Sequence, residues 1–345
     1  MSVPRRRARL LLVGSAPLLL GALLPPGPAS ACTSANCTLL TRTDGPSLDR
    51  GSWRVDVGWR FVDQDARRYD ESALAVAGAG QPPVLRPRVD FADGRLVPNF
   101  HQEYAARQTA LQVDVAYGFT TRLSSVLSVP LHTRYAVDHL FFPAPGVDLH
   151  ADAGPDPSRQ TLPIAGLGDA QIGVRYAFSR AVTAGVALKL ATGAYDRVDE
   201  YGQIDDPTHQ PGTGALGVIG TVQSGGRVGR VHWLVSGSYQ TNGTNDRGYT
   251  FGDETIVAAG ASRRVAGPWT ATLLVKGQHA ARNRFAGVPS PSTGASLLSV
   301  APGVRVSVKR AGTFYGSVQL PVYRRVNEGQ LVARVIFAVG LAGAF

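Results

Sequence analysis

Few side chains in this chain have the type and spacing needed for covalent chemistry. Of seven histidines, His132 and His232 fall inside segments with strand character. A Ser-His-acid hydrolase must bring nucleophile, base and orienting acid within hydrogen-bond reach. No G-x-S-x-G occurs, and no carboxylate pair stands out on one strand. In the stretch 147-VDLHAD-152, Asp148, His150 and Asp152 lie two apart, which could put three ligands on one side of an extended segment. Loop acids of this type are ordinarily solvated. The acidic run 196-DRVDEYGQIDD-206 departs from the D-x-[DN]-x-[DN]-G order of a calcium loop and better suits divalent ions that bridge lipopolysaccharide. The expectation is therefore no catalysis, no cofactor and no resident metal.

The two cysteines, Cys32 and Cys37, belong to the N-terminal region. Arg5, Arg6, Arg7 and Arg9 precede an apolar run from Leu10 to Leu24, and Ala29-Ser30-Ala31 has the form of a cleavage site. Residues 1–31 thus read as a cleaved signal peptide, and residues 32–50 as a periplasmic segment. Export to an oxidising compartment favours a short-loop Cys32–Cys37 disulfide; Cys32, as first mature residue, could alternatively carry a lipid anchor. Without the four signal arginines the formal charge falls from +10 to +6. Much of the basicity is an address, and no nucleic-acid partner follows from it.

Beyond residue 51 the dominant signal is a period of two. In 312-GTFYGSVQLPVYRR-325, Phe314, Gly316, Val318, Leu320 and Val322 alternate with Tyr315, Ser317, Gln319, Pro321, Tyr323 and Arg325. Successive strand side chains point to opposite faces, so each such segment has an apolar and a polar face. The same alternation recurs near 53–61, 108–119, 123–136, 166–178, 181–193, 213–224, 229–241, 268–280, 296–309 and 331–345, with an Ala/Gly-rich segment of ambiguous phase near 253–264. That makes about twelve strands. Short connections such as 120-TT-121 and 265-VAGP-268 alternate with long ones near 64–100, 137–165 and 194–212. This is the signature of an all-β, up-and-down antiparallel, transmembrane barrel of the outer-membrane type spanning residues 51–345. A soluble sandwich or lipocalin-like barrel alternates equally well, but its apolar faces need a covering layer, and no helix is available.

Aromatics give a second line of support. Trp53, Phe119, Phe178, Trp269, Phe314 and Phe345 fall at strand ends on the short-turn side, and Trp59 lies toward the long loops. Amphipathic rings prefer the two membrane–water interfaces. With the apolar set toward lipid, the lumen is lined by Arg54, Asp56, Arg60, Asp114, His132, Arg134, Arg175, Lys189, Arg230, His232, Lys276, Arg305, Lys309, Arg325 and Arg334. Bases outnumber acids, so the field favours anions. An arginine ladder across a narrow, filled interior is the competing structural reading.

Several stretches, 166-GLGDAQIGVRYAF-178, 188-LKLATG-193, 210-QPGTG-214 and 302-PGVRV-306, resemble the outer-membrane transporter family associated with meta-pathway phenol degradation. The resemblance covers about residues 108–345 and departs from the family pattern at Ala191, where proline is usual. It implies a porin-like barrel that admits small, sometimes aromatic or hydrophobic, solutes. Phe345 resembles the terminal aromatic that barrel-assembly machinery recognises. The expected partners are that machinery, outer-membrane lipid and lipopolysaccharide, and a small-molecule solute. The expected location is the outer membrane of a Gram-negative bacterium. A passive channel is the leading expectation; a non-transporting anchor, adhesin or assembly component is its rival, and an outer-membrane lipid hydrolase comes third.

Overall fold

The computed structural model describes residues 48–69, 88–89, 96–97, 101–141, 159–198, 204, 206–308 and 311–345. The signal segment, Cys32, Cys37, Asp148, His150, Asp152 and Lys309 lie outside these residues. The strands in chain order are β1 (Trp53–Gln64), short β2 (Ala66–Tyr69), β3 (Arg88–Val89) and β4 (Leu96–Val97), then β5 (His101–Gly118), β6 (Leu123–Phe141) and β7 (Arg159–Gly166). They continue as β8 (Gln171–Ala177), β9 (Val182–Lys189), β10 (Gly217–Val228), β11 (Val231–Asn242), β12 (Tyr249–Thr250), β13 (Glu254–Ala266) and β14 (Trp269–Ala280). Short β15 (Arg284–Phe285) and β16 (Val288–Pro289) precede β17 (Ala295–Val308), β18 (Gly312–Val326), β19 (Gly329–Val332) and β20 (Val335–Ala344).

The main sheet closes on itself as a 12-strand antiparallel barrel. Its order runs β5-β1-β20-β18-β17-β14-β13-β11-β10-β9-β8-β6, and β6 returns to β5. At the seam, Arg54 pairs with Ala344 and Asp63 with Val335, and Trp53 and Phe345 exchange both backbone hydrogen bonds at 3.0 and 2.9 Å. Closure leaves the twelve-strand ring without a first or last strand, as hydrocarbon demands.

The period of two has the physical outcome expected. Paired residues share a face, and the outward set (Val57, Val186, Val235, Leu273, Val339 and their like) is exposed all round the wall. A belt of that extent is far larger than the apolar patches water-facing proteins carry. Trp53, Trp59, Phe119, Phe178, Trp269, Phe314 and Phe345 are all exposed on this outer surface. The ambiguous segment is β13, and its pairing puts Glu254, Ile256, Ala258 and Ser262 inward.

The register shifts at four places in the wall, and two of these bulges reverse residues expected to line the lumen. On β6, Gln112 pairs with Pro130 but Leu111 pairs with His132, so Leu131 is an extra residue. On β18, Leu298 pairs with Tyr323 and Ser299 with Pro321, leaving Val322 extra. An inserted residue reverses the face of everything beyond it. The segment expected at 166–178 is also not one strand. β7 pairs with β6 over Arg159–Gly166, and β8 pairs with β6 over Gln171–Tyr176. Between them Gly168 N–H donates to Pro130 O at 3.0 Å. The strand expected at 213–224 lies at 217–228 instead, because Gly212 and Thr213 bond to Ala194 and Asp169 in the loops rather than joining the wall.

Candidate functional site

The inner wall is built by the same register. A continuous chain of paired positions runs from Arg175 through Gly185, Thr221, Ser238 and Ile256 to Gln278. Another joins Arg305, Tyr315, Gly340 and Gly58. Arg54, Asp56, Arg60, Asp114, Arg175, Lys189, Lys276 and Arg305 therefore share one face, the lumen side. Ordinary apolar residues accompany them: Val62, Ile219, Ile256 and Leu297 are buried on that face.

Other residues expected in the lumen stand at its rims or on the outward face. Arg230 sits in the tight turn between β10 and β11, exposed. His232, one residue into β11, keeps an inward register position opposite Arg227 and Ser262 but is exposed at the short-turn rim. Arg334 precedes β20 at the loop-side rim, 66% exposed, and pairs with Asp65 at 2.8 Å. The β18 bulge turns Arg325 outward, opposite Ser296, and brings Arg324 in opposite Leu297. The β6 bulge places His132 opposite Leu111 and Arg134 opposite Thr109, register positions of the outward set of β5. The side chains of those two lie outside the described residues.

Two clusters emerge that spacing alone does not show. The first crosses the lumen. Going round the wall from β1 one passes β20, β18, β17 and β14 before reaching β13, so Arg60 faces β13 and β14 from the far side. Arg60 and Lys276 are buried, 7% and 8% exposed, and both act electrostatically on Glu254. Gln278 Nε2 donates to Glu254 Oε1. Gln108 and Gln112, also buried, add amides on the neighbouring β5, and Gln112 Nε2 donates to Ser128 Oγ at 2.9 Å and Asp114 Oδ1 at 2.8 Å. A buried charge survives only when paired; here the pairing spans the pore.

The second cluster fills the notch where the wall changes from β7 to β8. Asp169 accepts from Gly193 N–H and from Thr213 N–H, each at 2.9 Å. Lys189 Nζ lies 3.4 Å from Asp169 Oδ2, with both side chains under 5% exposed, and also donates to Thr213 Oγ1. Gly193 and Gly212 are in backbone contact, so a Cβ on Gly193 would come within 2.6 Å of Gly212 Cα. Asp169 and Thr213 were within reach of sequence reading, since both sit inside the GLGD and QPGTG stretches; Glu254 carried no such signal.

Above the wall, Tyr249, Phe251 and Phe285 form a buried aromatic cap. Asn283 Nδ2 donates to Tyr249 Oη at 2.7 Å, and burial pushes this phenol well above its ordinary value. Nearby, a hydrogen bond to Asp246 at 3.0 Å holds the exposed Tyr195 hydroxyl up. A Ser–His contact does occur: His279 Nδ1 and Ser296 Oγ stand 3.4 Å apart on outward register positions. That exceeds the 2.6–3.2 Å reach of a working base. Among the described residues no group of three metal-ligating side chains comes together.

No family model matches the chain, and no curated protein matches it in sequence. Solved structures do. An outer-membrane channel from Pseudomonas putida F1 superposes with a TM-score of 0.55 at 12% identity, over 88% of this chain and 98% of that one. The shared fold is the closed antiparallel β-barrel. The CymD monoaromatic hydrocarbon channel (TM-score 0.45, 10% identity, 86% and 89% covered) and the Ralstonia pickettii toluene transporter TbuX (0.42, 10%, 93% and 96%) are more distant matches. At these identities the likeness concerns architecture; what crosses the wall must be argued from its residues.

Proposed function

We propose that this barrel is a passive outer-membrane channel for small solutes with an apolar or aromatic body. The supporting observation is the mixed lumen face, where Val62, Ile219, Ile256 and Leu297 sit among Arg60, Lys276 and buried glutamines. A water-filled porin lumen is polar throughout, whereas apolar wall residues offer a solute's hydrocarbon surface about 25 cal/mol per Å² removed from water. The anion-favouring excess of bases fits the same path. Cells producing the protein in an otherwise porin-poor outer membrane should accumulate labelled toluene and benzoate several-fold faster than cells without it. Uptake of both compounds no faster than in cells without the protein would remove the proposal and leave the anchor or assembly role. Among the described residues the lipid-hydrolase alternative would act through the His279–Ser296 contact, and lipid turnover unchanged by His279→Ala, His132→Ala and His232→Ala would dispose of it.

A further inference from the structure

The cross-lumen cluster combines features that a purely structural ladder does not require. Two cations and one anion converge from opposite walls, leaving the group one positive charge in excess. All three lie on inward register positions, and the cations are nearly inaccessible. Glu254 accepts from Gln278 on its own wall and is attracted to Lys276 and Arg60. Arg60 and Lys276 carry like charges at buried inward positions, so an anion beside them offsets the cost of burying both. The flanking inward positions mix apolar and polar residues: Ala110 is opposite Arg60, Ala258 opposite Lys276 and Ile256 opposite Gln278, while Ser299 flanks Lys276 and Gln240 flanks Glu254.

We propose that Arg60, Lys276 and Glu254 form a carboxylate-exchange constriction, where the carboxylate of a small amphipathic solute replaces Glu254 as counter-anion of the two cations. The solute class is a monocarboxylate with an apolar or aromatic body, the body resting on Ala110, Ile256 and Ala258. Arg60 supplies a planar fork for two parallel hydrogen bonds to a carboxylate, and Lys276 a point charge. Glu254 competes for the same donors. It keeps the cations paired when the path is empty and makes the solute's stay short, as conduction requires. The inference rests on the channel reading and adds to it a residue-level site of discrimination.

Reconstitution in planar bilayers tests it. Reversal potentials in a KCl gradient and block by benzoate or by neutral benzyl alcohol are measured for wild type, Glu254→Gln, Lys276→Met and the rim variant Arg334→Gln. Wild type should prefer chloride and be blocked by benzoate at concentrations at least about tenfold below benzyl alcohol. Glu254→Gln should raise the chloride-to-potassium permeability ratio about twofold or more and strengthen benzoate block. Lys276→Met should lower both, and Arg334→Gln should match wild type. Selectivity and block unchanged in both Glu254→Gln and Lys276→Met would overturn the proposal. If those variants fail to assemble, the wild-type comparison still decides, because benzoate blocking no better than benzyl alcohol overturns it equally. An electrically silent wild-type barrel would instead bring down the channel reading itself.

Discussion

Tyr315 shows how the small residues of 331-LVARVIFAVGLAGAF-345 are used. It pairs with Gly340, and its hydroxyl donates to Asp56 Oδ1 at 3.0 Å, so the ring lies across the Gly340–Gly58 pair. A Cβ on Gly340 would overlap the Tyr315 hydroxyl and the Cζ that bears it and stand 2.5 Å from the Val57 carbonyl. Gly340→Ala should destabilise the barrel by about 1–3 kcal/mol, as overpacking does, seen as a lower temperature of conversion to the unfolded gel band. Tyr315→Ala added to it should recover part of the loss; no recovery would mean that the ring is not what the glycine accommodates. At the second buried site, Asp169→Ala leaves Lys189 without its carboxylate in a setting under 5% exposed. Removing one partner of such a pair costs about 3–5 kcal/mol, so the same gel assay should show a larger drop.

At the scale of elements, the aromatic cap gives a pH prediction of known sign. The Tyr249 phenol has a raised value in the folded protein because burial disfavours the phenolate. Its stabilising effect is complete below the unfolded value near 10 and is lost as pH climbs from there toward the raised folded value. Loop proteolysis should therefore accelerate above about pH 10, and Tyr249→Phe should flatten that rise. The strands themselves were largely legible in the sequence, because one face meeting lipid and the other a lumen forces alternation. What alternation cannot reveal is a bulge. Leu131 and Val322 are ordinary apolar residues in apolar strands, yet each reverses the phase of the residues after it. That is why His132, Arg134 and Arg325 read as lumen residues and occupy outward register positions. The break between β7 and β8 was hidden for another reason: 166-GLGDA-170 continues an alternating pattern while Asp169 serves a loop contact. Arg60 and Glu254 are 194 positions apart, beyond any local pattern, and only closure of the ring brings them together.

At the scale of the whole molecule, assembly and conduction make separable demands. Phe345 is 80% exposed beside the seam, while its backbone completes the pairing with Trp53. Deleting Phe345 should lower the amount of assembled barrel severalfold and leave the conductance of each assembled barrel unchanged. Wild-type yield from the truncated chain would argue against a role for the terminal ring in assembly. The exchange of both backbone bonds between Trp53 and Phe345 has one more consequence. Topologically the wall is a ring in which no stave ranks first or last. A tight turn like the one at Gly229–Arg230 would be enough to splice β20 to β1, and the chain could then be cut at any other short turn. The barrel is thus a natural candidate for circular permutation, with each permutant presenting a different pair of strands as the edges that must find one another.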